Sequence, residues 1–122
     1  MSVDVDIQVK GVSELQQKLG LLGVTLETKV HDELQLEAPI MKNIARAKAP
    51  VVTGRLRDSI YAHVEGLILK LGATAPYAVF QELGTRYIKP KAFLQSAVFE
   101  RIEHLVNRIS RAIGDAIKEV SR

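Results

Sequence analysis

Ten apolar residues near the C-terminus constrain this chain more than any other feature. Leu94, Val98, Ile102, Leu105, Ile109, Ala112, Ile113, Ala116, Ile117 and Val120 recur at spacings of three and four, which is one face of a single long helix. A helix from about Ala92 to Ser121 would be roughly 45 Å long at about 1.5 Å per residue. A compact domain of 122 residues spans only about 30 Å. Part of the stripe must then project and be covered from outside the subunit, so the sequence predicts an oligomer.

The remaining segments are read by period and punctuation. Val3, Val5, Ile7 and Val9 alternate with Asp4, Asp6, Gln8 and Lys10, the signature of a half-buried strand that Gly11 ends. Ser13 and Gln16 fit a capping box for a short helix to Leu19. Thr25 is the expected N-cap of a longer helix through Lys48, with Leu26, Val30, Leu34, Glu37, Met41, Ile44 and Ala45 on one face. Pro39 should kink or break it, because proline removes a hydrogen bond and crowds the carbonyl of Gln35. Beyond Pro50, Thr53 can cap a short helix to Asp58, and Ile60–Glu65 with Leu67–Leu71 reads as a hairpin about Gly66. Pro76 suits the start of a helix to Leu83, with Gly84 as its left-handed terminator. Arg86–Lys89 is a further short strand candidate. The expected architecture is α+β, a single domain over residues 1–122. Its small antiparallel sheet of three to four strands is packed on one face by a kinked helix and a long C-terminal helix.

Several chemistries have no residues to carry them. There is no cysteine, which excludes disulfides, thiolate metal sites and thiol nucleophiles. His31, His63 and His104 show no ligand spacing, and P-loop, nucleophile-elbow and dinucleotide fingerprints are missing. The sequence therefore predicts no enzyme, cofactor or metal. No run approaches a membrane span and the acidic start is unlike a signal peptide, so a soluble protein outside the classical secretory route is expected. The formal charge of +3 is mild. Lys42, Arg46 and Lys48, followed by Arg55 and Arg57, could meet DNA phosphates, meet an acidic partner, or form a solvated helix face. Glu82, beside Gly84 and Thr85, reads as a polar helix-terminal group.

Two segments are more specific. The first is Ala49-Pro50-Val51-Val52-Thr53-Gly54-Arg55-Leu56-Arg57-Asp58-Ser59-Ile60. The second is Tyr77-Ala78-Val79-Phe80-Gln81-Glu82-Leu83-Gly84-Thr85, followed by Pro90, Phe93 and Leu94. In this order and separation they resemble the tail-component family typified by gene product ten of the Hong Kong 97 phage, best over about Leu34 to Ala97. Lys91, Ala92 and Ser96 depart from the family pattern just before and within the last helix.

The resemblance implies a non-catalytic virion subunit assembled in the host cytoplasm. It would be a tail-completion or neck protein forming a homo-oligomeric ring, most often a hexamer, at the head–tail junction. Its partners would be head-completion and tail-terminator or tail-tube proteins, with genomic DNA passing through the ring without sequence-specific contact. On that reading Thr53, Gly54, Arg55, Leu56, Arg57, Ser59, Tyr77, Glu82, Gly84, Thr85, Phe93 and Leu94 shape an interface loop, with Arg55 or Arg57 pairing with Glu82. The alternative is a small basic DNA-binding module without catalytic activity, gripping duplex through the hairpin.

Overall fold

The computed structural model describes residues 2–20, 26–50, 54–87 and 89–120. The elements are β1 (Val3–Gln8), α1 (Val12–Leu19), α2 (Leu26–Lys48), α3 (Arg55–Asp58), β2 (Ile60–Glu65), β3 (Ile68–Ala73), α4 (Ala78–Leu83) and α5 (Phe93–Val120). The fold is α+β. Its three-stranded antiparallel sheet has the order β1-β3-β2.

The register explains the alternation seen in β1. Val3, Ala73 and Ile60 form one cross-strand row, Val5, Leu71 and Ala62 the next, and Ile7, Leu69 and Val64 the third. All nine point into the core, whereas Asp4, Asp6 and Gln8 face outward and are exposed. On the outer face the Tyr61 ring lies over Gly72. A Cβ at that glycine would come within 2.5 Å of the Tyr61 hydroxyl.

The inner face is covered by α2 and α5, which pack along each other. The two run antiparallel, as Arg101 meets Glu37 while Arg108 meets Glu33. Helix α2 lies over β2 and β3 and sinks Leu26, Val30, Leu34, Met41 and Ala45 into the core; α5 contributes Phe93, Leu94, Ala97 and Leu105. At 28 residues, α5 is about 42 Å long.

Several local expectations are corrected. Helix α1 begins after Gly11, at φ 84°, with no side-chain cap, so the Ser13–Gln16 box does not form. Gln16 acts elsewhere: its Oε1 accepts the Leu26 amide at 2.9 Å and satisfies the start of α2. The expected caps Thr25 and Thr53 lie outside the described residues. Helix α2 is not broken at Pro39. Pro39 and Gln35 are both exposed, so water can take the carbonyl that proline leaves unpaired. Pro76 lies in the turn before α4, not in its first position. Residues 86 and 87 form a bend, and no strand occurs among the described residues of that loop.

Candidate functional site

The motif residues gather at one end of the molecule. There α2 finishes, α3 follows, and α4 leads through a loop into α5. Gly54 adopts φ 81° at the head of α3, a left-handed angle glycine takes without strain. Leu56 is buried, and the Ser59 hydroxyl donates to the Leu56 carbonyl at 2.8 Å, closing the short helix before β2. Arg55 is exposed. Arg57 is half-buried, and its Nε has no hydrogen-bond partner among the described residues. Arg46 approaches Asp58 at 3.8 Å with both side chains well exposed, while Lys42 is half-buried and Lys48 exposed on the same helix.

Glu82 is the pivot of the second motif. It is only 2% exposed, and its partners differ from the expected arginines. Oε1 accepts the Leu94 amide at 2.8 Å and Oε2 accepts the Gln95 amide at 3.1 Å. These are the second and third residues of α5, the positions whose amides an N-cap side chain ordinarily satisfies. The residue at that cap is Ala92, which has no side-chain acceptor and sits at φ 43°, the one non-glycine with positive φ among the described residues. A carboxylate from α4 therefore supplies what the local sequence lacks, and its charge suits the positive end of the helix dipole.

The loop between them is tied down. Gly84 closes α4 at φ 77° and ψ 172°, so it is not the expected left-handed helical residue but occupies a region essentially reserved for glycine. The Thr85 hydroxyl accepts the Tyr87 amide at 3.1 Å, and the Lys91 amide donates to the Gln81 carbonyl at 2.7 Å. Tyr77 heads α4 half-buried, and Phe93 and Leu94 are fully buried. Most of the second motif thus serves to join α4 to α5.

A second polar centre was not picked out by sequence reasoning. Glu37, fully buried on α2, receives Arg101 at 2.8 and 3.1 Å and Arg108 at 2.8 Å. Arg108 also binds Glu33 and its carbonyl, each at 2.9 Å. The Glu37 hydrogen bond raises the Arg101 pKa, against desolvation, so this guanidinium holds its charge more firmly than usual. The signal was present: a carboxylate on the apolar face of one helix, and two arginines seven residues apart on the other.

Among the described residues no group of three or more His, Cys, Asp or Glu could hold a metal, and no helix is long and apolar enough to cross a membrane. His31 Nδ1 donates to the Gly66 carbonyl at 2.6 Å, pinning the hairpin turn to α2. Neither a curated protein nor a solved structure matches the chain. A family model described as "Bacteriophage HK97-gp10, putative tail-component" matches residues 13–84, more than half of the chain. The match starts earlier than the resemblance read from the motifs and ends at Gly84, before α5. The chain belongs to the HK97-gp10-like family, a structural family of phage tail components whose members act among other particle proteins.

Proposed function

We propose that this chain is a tail-completion or neck subunit that builds a ring with its own copies at the head–tail junction, has no catalytic role, and meets head-completion and tail proteins on the ring's two sides. The observation that carries this is how the motif residues are used. Leu56, Phe93 and Leu94 fill the core, while Glu82 and Gly84 fix the entry into α5, so the motifs set the position of a long helix and two loops. The apolar stripe of α5 is not left for a neighbour to cover, since its described residues from Leu94 to Ile117 are buried or half-buried within the subunit. A different flank of the helix exposes Phe99 and Val106, as a subunit awaiting a neighbour should. The DNA-binding alternative is weaker. The outer face of the hairpin carries His63, Glu65 and a single lysine, Lys70, paired in register with Asp6.

Native mass measurement of the purified protein, alone and with neighbouring particle proteins, tests the reading. Discrete rings are expected in at least one condition; a monomer in both would overturn it. Loosening α5 by Glu82→Ala should impair ring assembly, and a variant that still gives normal rings and infectious particles would remove Glu82 from the account.

A further inference from the structure

Two exposed surfaces of this chain are opposites of each other. One is the knob made by α4 and the loop after it. Leu83 is 60% and Tyr87 87% exposed, and Phe80 is exposed on α4. The Arg86 guanidinium lies 5.7 Å from the centre of the Tyr87 ring, and the exposed Lys89 and Lys91 follow in the loop, which the Lys91 amide ties back to Gln81. The other is the outer flank of α5. Phe99, 77% exposed, and Val106 share a face with Glu103, at spacings of four and three, and Glu100 adjoins it. Among the described residues none of these five rim charges is in an ion pair. The basic and acidic rims of one chain therefore do not satisfy each other.

Each surface has the anatomy of half an interface, with an aromatic or aliphatic centre and a charged rim. The rims have opposite sign. A nucleic acid would answer the cations but leave Leu83, Phe80 and the α5 flank without a partner. A second copy of the chain answers both surfaces. We infer that the α4 knob of one copy docks on the outer flank of α5 of the next, with Tyr87 and Phe99 at the centre and Arg86, Lys89 and Lys91 against Glu100 and Glu103. The inference rests on the ring reading above and names the surfaces that would build it. Because the two surfaces differ, the contact is heterologous: each copy offers one of each, and growth stops only when the rotation closes. A typical interface takes about 800 Å² per partner, roughly a tenth of the 7602 Å² that this chain exposes.

Charge reversal in the full-length chain tests the pairing, read by sedimentation velocity over a concentration series. Reversing the basic rim (Arg86→Glu, Lys89→Glu, Lys91→Glu) or the acidic rim (Glu100→Lys, Glu103→Lys) should weaken self-association by roughly tenfold or more. Combining both sets restores complementarity and should recover most of the loss. Tyr87→Ser and Phe99→Ser, which change no charge and touch exposed side chains only, should each weaken association with an unchanged melting curve. A wild-type chain that associates with full indifference to every variant overturns the pairing and leaves the ring reading standing. A combined variant no better than either single set overturns it too. A wild type that stays monomeric at all concentrations, with and without its particle neighbours, overturns both. Loss of binding to a short DNA duplex by the basic-rim variant, with self-association intact, would assign that rim to nucleic acid instead.

Discussion

Glu37 and Glu82 are both shut away from water, yet they are stabilised by opposite means. Glu37 sits in the seam between α2 and α5, where its two oxygens are shared by the side chains of Arg101 and Arg108. Glu82 sits at the start of α5, where its oxygens are taken by two main-chain amides. The seam depends on three ionised side chains being correct at once. The helix start depends on one side chain and on backbone that any sequence would supply. Both acids grip the same helix, Glu82 at its first turn and Glu37 a few turns further on.

The difference predicts unequal costs, and breaking the seam should cost most. Glu37→Ala leaves two partly buried guanidiniums without their shared acceptor and should lower stability by about 3–5 kcal/mol in urea unfolding. Glu82→Ala strands two amides at a buried helix start and should cost about 2–3 kcal/mol by the same measurement. A reversal of that order would show that the backbone cap, not the ion cluster, anchors α5. In the Glu82→Ala background, Ala92→Asp restores a local acceptor at the cap and should recover about 1 kcal/mol, since aspartate tolerates positive φ better than alanine. No recovery would mean that Glu82 acts through packing. The smallest effect belongs to the surface: Arg46→Ala breaks an exposed pair with Asp58 and should change stability by less than about 1 kcal/mol.

These pairings mark the limit of what periodicity can reveal. The alternation in Val3–Val9, the turn at Gly66 and the apolar stripe of α5 are written in neighbouring residues, so β1, the hairpin and the last helix were all legible. The partners of Glu37 were not, because Arg101 lies 64 residues away and helical spacing says nothing about which helix lies alongside. For Glu82 the sequence marked the residue and missed its role. A carboxylate near two arginines suggests an ion pair, and only the path of the loop through Gly84 and Ala92 brings the amides of α5 to it instead. Ser13 misled for a related reason. The capping rule describes what a residue does to an isolated helix, whereas here the left-handed Gly11 starts α1.

The strand register also sets an order of events during synthesis. Val3 must wait for Ala73 before β1 has a neighbour, on the order of several seconds at ribosomal speed. Arg101 and Arg108, which hold Glu37 on the core-facing side of α2, are made later still, so completion of the core is expected only after α5 has emerged. A ribosome stalled before Arg101 should display a protease-sensitive chain, and one stalled with α5 fully extruded a resistant one.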